Sequence, residues 1–389
     1  MTARPDPALR VAMFAPWHER CGIRDYSALL VSAMETLSEI DSLRIVDAPS
    51  DAARTGIASV LRRHRHDAMR FKQLGRAMNS AAEIAHIQHQ YFLFGGVAPY
   101  RSHVTSFLSE ITVPAVVTVH EIAEEGVGSL KRMVVRAANR MNFSHPAIRA
   151  LIVHTEADRN SLLRMGLPER RLHVIRFPAP PALPMPDAVS ARSALAATYP
   201  QVTGRSILTL FGFLSNKKGH RIALDALLRL PEDIALIFAG DRHPDDHTGY
   251  VSSLRADIER LGLASRVVIT GYLPEDRIPE IMAGADVALA PYLRTSGSGS
   301  LANLLAYGRA VVASDIEPHR ELLGAEPGLL SLVPTEDAES LAAEALALLN
   351  DPPRRERLQR AALDYAARNT YLEFARQTVK VYREVLDQG

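Results

Sequence analysis

Two clusters of small and basic residues in the second half of the chain have the chemistry of an anion site. The first is Phe211-Gly-Phe-Leu-Ser-Asn-Lys-Lys-Gly-His220, which closes a short apolar strand and precedes a segment of helical periodicity. Gly212 and Gly219 let the backbone turn tightly, and Lys217 and Lys218 stand where a helix begins, an arrangement suited to phosphate. The second is Thr295-Ser-Gly-Ser-Gly-Ser-Leu301, between a strand ending at Pro291-Tyr292 and a helix read over Leu301–Tyr307. Here the amides of Gly299, Ser300 and Leu301 are expected to be open to a ligand, and the helix dipole favours an anion. The hydroxyls of Thr295, Ser298 and Ser300 add further hydrogen bonds. Either cluster alone also fits a solvated loop. Two of them, after the first and fourth strands of one domain, are better explained by a diphosphate. The spacing matches neither the P-loop nor GxGxxG.

Other candidates are weaker. His86 and His89 are three apart in an extended segment, so they face opposite sides, and no carboxylate or cysteine completes a zinc set. Asp241, Asp245 and Asp246 with His243 and His247 read as a polar loop after a strand, and no metal is assigned. No GxSxG motif supports Ser-His-Asp catalysis. His120 follows an apolar strand, where the residues alone favour a structural hydrogen bond.

The elements that must hold these residues are short, apolar, unalternating strands separated by helical segments. They are Val11–Ala15, Ala115–Val119 and Leu151–Val153 in the first half, then Ile207–Phe211, Ile234–Ala239, Val267–Ile269, Val287–Ala290 and Ala310–Ala313. Such alternation predicts α/β domains with parallel sheets covered on both faces. Tyr26, Leu29, Leu30, Ala33, Met34 and Leu37 follow helical spacing and predict one packed face. The run Pro178–Pro186 holds five prolines in nine residues and reads as a semi-rigid linker. It separates a domain over residues 1–180 from one over 187–367, with a helix at about 368–389 expected to pack back on the first. Ligands of open α/β sheets sit at the carboxyl ends of the strands, so two Rossmann-like domains facing across a deep cleft are expected.

The chain has 389 residues, enough for two to three domains. Lys and Arg number 45 against 44 Asp and Glu, a net +1 that gives no global pull toward nucleic acid. The single cysteine, Cys21, excludes an intramolecular disulfide framework and fits a reducing compartment. No stretch has the length or apolarity of a membrane span or secretory signal, and a cytoplasmic location is expected. Two basic stretches stand out, 54–76 (Arg54, Arg62, Arg63, Arg65, Arg70, Lys72, Arg76) and 131–140 (Lys131, Arg132, Arg136, Arg140). They fit either a solvated helix face or peripheral contact with anionic lipid at the inner face of the cytoplasmic membrane.

The segments FGFLSNKKGHRIALDAL, IALIFAGD, VVITGYLPEDRIPEIMAGADVALAPY and LLAYGRAVVASDIEPHRELL together resemble the donor half of family 4 glycosyltransferases, over residues 206–323. In the first half, His18–Tyr26 resembles that family's glycine loop, His86–Tyr91 with Phe94-Gly-Gly96 its acceptor-side segment, and Thr118-Val-His-Glu121 its strand-end histidine motif. The resemblance implies the GT-B architecture. It also implies transfer of a sugar from a UDP- or GDP-linked donor, retaining configuration, with no metal and no further cofactor. By the same resemblance Lys218 contacts the donor diphosphate, Gly22 brings backbone close to the donor, and His120 stands near the sugar. Tyr272, Leu273 and Arg277 border the base, and His89 and Tyr91 lie on the acceptor side. The sequence departs from the family at Phe213, where an arginine is usual, and at Thr295 and Asn303, where two glutamates are usual. Asn303 retains hydrogen bonding to ribose, whereas Thr295 supplies no negative charge. The resulting expectation is hexose transfer, with mannose as one candidate, to a glycan or lipid-linked acceptor in bacterial surface polysaccharide or glycolipid synthesis. The rival readings are a catalytically weak partner subunit and a sugar-nucleotide epimerase of similar fold.

Overall fold

The computed structural model describes residues 7–18, 21–48, 57–96, 102–122, 129–242 and 249–388, without the side chains of 57–66 and 129–132. The chain divides into two compact units, Met1–Arg176 joined by Tyr371–Gly389, and Phe177–Thr370.

Unit 1 carries β1 (Leu9–Ala15), β2 (Ile40–Asp47), β3 (Ile84–His89), β4 (Ala115–Val119), β5 (Ile148–Val153) and β6 (Leu172–Val174). They form one parallel sheet in the order β2-β1-β3-β4-β5-β6. The inner strands β3 and β4 are buried at every residue, which is why they read as apolar runs rather than alternating ones. The helix Gly22–Met34 buries Tyr26, Ser27, Leu30, Val31 and Met34. This face is rotated from the expected one, with Leu29 and Ala33 only half-buried, because Ser27 satisfies its hydroxyl on the Ile23 carbonyl at 2.7 Å and can enter the core. The helix Tyr371–Asp387 belongs to this unit, with Phe374, Ala375, Val379, Tyr382 and Val385 among its buried residues.

Unit 2 carries β7 (Ser206–Phe211), β8 (Ile234–Ala239), β9 (Val267–Ile269), β10 (Val287–Ala290), β11 (Val311–Ser314) and β12 (Ser331–Val333). They are again parallel, ordered β12-β11-β10-β7-β8-β9. Alternate residues serve different faces. Leu208 and Leu210 of β7, Leu236 and Phe238 of β8, and Val287 and Leu289 of β10 share one cluster, completed by Leu224, Leu254 and Leu341. Ile207, Ala235 and Ile237 pack on the opposite face with Leu195 and Ile281. Each such large side chain contributes about 1.5–3 kcal/mol on burial. The proline-rich run is fastened to this unit. The Ala179 amide donates to the Asn369 carbonyl at 2.8 Å, and the Leu183 amide to the Tyr307 hydroxyl at 3.2 Å. Among the described residues, no helix is long and apolar enough to cross a membrane.

Candidate functional site

The order of strands in unit 2 decides where its site lies. β7 leads outward to β8 and β9, and the chain then returns to place β10 on the other side of β7. The connections leaving β7 and β10 therefore start side by side at the carboxyl edge, where open α/β sheets bind ligands. These are the two loops singled out in the sequence.

Glycine makes their approach possible. Gly212 has φ +111°, and a Cβ there would lie 2.0 Å from Ser300 Oγ. Gly219 has φ +73°, and its Cβ would lie 1.9 Å from the Pro291 carbonyl oxygen. Both positions thus combine a backbone region open to glycine with contact between the loops. The Leu293 amide donates to the Lys217 carbonyl at 2.9 Å, fixing the register of the two segments.

Lys217 and Lys218 occupy a 3₁₀ turn, Asn216–Lys218, separated by Gly219 from the helix His220–Leu227. The lysines thus precede the helix rather than open it, which corrects their expected position. Lys218 Nζ lies 3.3 Å from Ser298 Oγ and 3.9 Å from the ring centroid of Tyr292. Ser298 is the N-cap of the helix Gly299–Ala306, its hydroxyl accepting the Leu301 amide at 3.1 Å. This corrects two expectations. The helix begins at Gly299 instead of Leu301, and the Leu301 amide is engaged by the cap, so it is not one of the open donors. Gly299 and Ser300 remain, in a first turn whose N–H groups have no intrahelical acceptor.

Thr295 and Asn303 stand in the same segment. Thr295 Oγ1 donates to the Gly297 carbonyl at 3.1 Å, and Asn303 Nδ2 to the Gly299 carbonyl at 2.8 Å. Both side chains thus brace the loop and the first helical turn. Two buried imidazoles hold carbonyls at the ends of the neighbouring segments. His220 Nδ1 donates to the Ser215 carbonyl at 3.2 Å and His319 Nδ1 to the Ser314 carbonyl at 2.8 Å. Burial lowers their pKa values to about 3 and about 4, so both are neutral at pH 7 and add no charge beside Lys218.

Tyr272 is 56% exposed, Leu273 packs partly against the core, and Arg277 pairs with Glu280 at 3.1 Å. In unit 1, Gly22 opens the helix Gly22–Met34, and among the described residues nothing lies within 4 Å of the Cβ it lacks. His120 follows β4, its Nε2 2.8 Å from Gln88 Oε1 and its ring edge-on to Tyr26 at 4.8 Å. Burial, with smaller contributions from His154, His89 and His86, lowers its pKa well below the usual histidine range. His89 and Tyr91 need correction as acceptor-side contacts. Both side chains are buried, His89 against Tyr91, Phe94 and Phe143, and the Tyr91 hydroxyl donates to Asn139 at 3.0 Å.

Of the basic stretches, Lys72 and Arg76 both pair with Glu110, and Arg136 donates to the Arg164 carbonyl. Arg54 and the side chains of Arg62, Arg63, Arg65, Lys131 and Arg132 lie outside the described residues, as do His243, Asp245, Asp246 and His247. Among the described residues, no group of three or more His, Cys, Asp or Glu side chains could hold a metal ion. The sequence reading missed Tyr292 as the platform under Lys218 and Gln88 as the partner of His120. Neither type carries a motif; only the paired loops could have pointed to Tyr292.

Two parallel Rossmann-like sheets with helices define the GT-B fold class. The Anabaena protein HepE, solved in complex with UDP-glucose, has the same fold at TM-score 0.71 and 17% identity, over 97% of this chain and 100% of that one. Residues 205–351 match the family described as Glycosyl transferases group 1. An α-D-kanosaminyltransferase of Streptomyces kanamyceticus is 26% identical over 246 residues, covering 61% of this chain and 60% of its own length. A phosphatidyl-myo-inositol mannosyltransferase of Mycolicibacterium smegmatis is 30% identical over 217 residues, covering 54% and 53%. The chain thus spans little more than half the length of these curated relatives.

Proposed function

We propose that the protein is a retaining, family 4-type glycosyltransferase that moves a hexose from a UDP- or GDP-linked donor to a glycan or lipid-linked acceptor. The observation that carries this reading is the convergence of Lys218, Ser298 and the Gly299–Ser300 amides at the carboxyl edge of β7 and β10. A departing nucleoside diphosphate gains negative charge as the glycosidic bond breaks. The Lys218 ammonium, with Lys217 nearby, and the first-turn amides stabilise that charge in place, and such preorganised stabilisation usually contributes more to catalysis than any other single effect. By the family resemblance, Tyr272 is assigned to the base, Asn303 to the ribose, and His120 and Gly22 to the donor sugar. No metal takes part in this reading, and EDTA is expected to leave transfer unchanged.

The curated mannosyl- and kanosaminyltransferase relatives support sugar transfer, and the former favours mannose and a lipid-linked acceptor. Exposed Met69, Met133, Val134 and Met141 share two helices with exposed Arg70, Arg136 and Arg140 and support peripheral contact with anionic lipid on the cytoplasmic side. A second reading, nucleotide-sugar binding without transfer, draws on Thr295, which supplies a hydroxyl where the family resemblance implies a carboxylate.

A thermal-shift panel with UDP, GDP, ADP, CDP and dTDP, followed by transfer from the matching sugar donors, tests the proposal. Ligand at one hundred times its Kd should add about 2.7 kcal/mol. A single stabilising nucleotide with sugar transfer supports it. No shift from any nucleotide refutes it, and a shift without transfer favours the second reading.

A further inference from the structure

His120 is tied to a chain of buried polar groups whose protons can be placed one by one. Gln88 Oε1 lies 2.8 Å from His120 Nε2, while Gln88 Nε2 lies 3.9 Å from Met13 Sδ and 3.4 Å from His86 Nε2. A thioether accepts hydrogen bonds and cannot donate them, so the end of the amide facing Met13 is the NH₂ group and the carbonyl faces His120. His86 Nε2 also lies 2.8 Å from Thr118 Oγ1, and His86 Nδ1 lies 2.5 Å from the Tyr382 hydroxyl. With Nε2 of His86 accepting from Gln88 and Thr118, its proton sits on Nδ1 and is donated to Tyr382. The Tyr382 hydroxyl in turn donates to Met34 Sδ at 3.9 Å. His86, Gln88, Thr118 and Tyr382 are completely buried, so the arrangement is insulated from water.

We propose that Gln88 is a positioning residue that holds the proton of His120 on Nε2 and thereby presents Nδ1 as a hydrogen-bond acceptor for a hydroxyl of the transferred sugar. The second half of this statement rests on the reading of His120 under the proposed function; the first stands on unit 1 alone. A carbonyl partner sets the tautomer of an imidazole, and the other nitrogen takes the complementary role. The Tyr26 ring edge-on at 4.8 Å and the His154 ring at 5.7 Å hold the plane of His120 without offering it a carboxylate. His120 therefore acts as a neutral acceptor in this arrangement and not as an acid.

The test uses the full chain labelled with ¹⁵N-histidine, the His120 signals being identified by their loss in His120→Gln. Long-range proton–nitrogen correlation at pH 7.5 is expected to show His120 protonated at Nε2 and bare at Nδ1. Gln88→Met, of similar length without the carbonyl, is expected to give mixed tautomers and at least a tenfold lower kcat with donor KM changed less than threefold. Gln88→Glu, which keeps an acceptor oxygen, is expected to restore the Nε2–H form. A wild-type His120 protonated at Nδ1, or a Gln88→Met spectrum identical to wild type, overturns the proposal. If Gln88→Met does not fold, the wild-type spectrum still decides it. The expected spectra in a protein that transfers no sugar would support the tautomer assignment while refuting the functional reading.

Discussion

Lys218 and Ser298 are 80 residues apart in sequence, yet the ammonium of one lies 3.3 Å from the hydroxyl of the other. The contact joins a cation to the cap of a helix, so one anion can meet both. Under the proposed function that anion is the donor diphosphate. Replacing Lys218 by alanine is expected to lower kcat by about 10²–10³-fold, the cost of losing one preorganised charge-stabilising donor. Steady-state transfer kinetics measure this, and a variant with undiminished kcat would remove Lys218 from the mechanism.

Gly212→Ala should act through packing. Its Cβ would sit 2.0 Å from Ser300 Oγ, and the residue holds φ +111°. Strain of this kind costs about 1–3 kcal/mol and must push the two loops apart. Calorimetry should show a lowered Tm for unit 2, together with weaker nucleotide binding. An unchanged Tm would mean that the loops do not pack as described.

The opposite pattern is expected for Gly22→Ala. Among the described residues nothing within 4 Å opposes a Cβ at Gly22, which opens the helix Gly22–Met34. Tm should stay within about 1 °C of wild type, a surface substitution of this kind being worth under ~0.5 kcal/mol. If Gly22 meets the donor as proposed, donor KM should rise at least fivefold. An unchanged KM would remove Gly22 from the site.

Stability should depend on pH through the buried imidazoles of unit 1. Burial lowers the pKa of His86 to about 3 and those of His89 and His154 to about 4. In the unfolded chain the same groups titrate near ~6.5. Above that pH both states are neutral and nothing is lost. As pH falls below it, the unfolded state takes up protons that the folded state refuses. Each group then costs up to about 1.4 kcal/mol per pH unit, until its folded pKa is reached. Tm should be level from pH 7 to 8 and fall by roughly 10 °C between pH 6.5 and 5.5. Scanning calorimetry in matched buffers measures this; a flat profile would contradict the buried neutral state.

Residues that serve one purpose were easiest to read. β8, IALIFA, is buried at all six positions, so its composition reports its place directly. β2 was invisible because it lies at the sheet edge, with Asp41, Ser42 and Arg44 among its mostly exposed or half-exposed residues. β6 (LHV) and β12 (SLV) are three-residue edge strands that each carry a polar residue, unlike the equally short but wholly apolar β9 (VVI). Both phosphate-type loops were legible from glycines, lysines and hydroxyls, while the use of Ser298 as a cap, which consumes the Leu301 amide, depends on where the helix starts. His89 and Tyr91 misled because a buried histidine and a surface one look alike in sequence. Gln88 gave no signal, since its meaning lies in groups brought to it by other elements, Met13 of β1 and His120 after β4.

The helix Tyr371–Asp387 completes unit 1 from the far side of the chain, with Tyr382 bonded to His86 and Phe374 against Tyr26. Roughly 190 residues of unit 2 separate it from the rest of that unit. At typical ribosomal speed they take on the order of 10–40 s to emerge. During that time Tyr26, His86 and Met34 lack their cover, so the nascent first unit presents an apolar groove to chaperones, while the second unit, made later, is the first with all its parts.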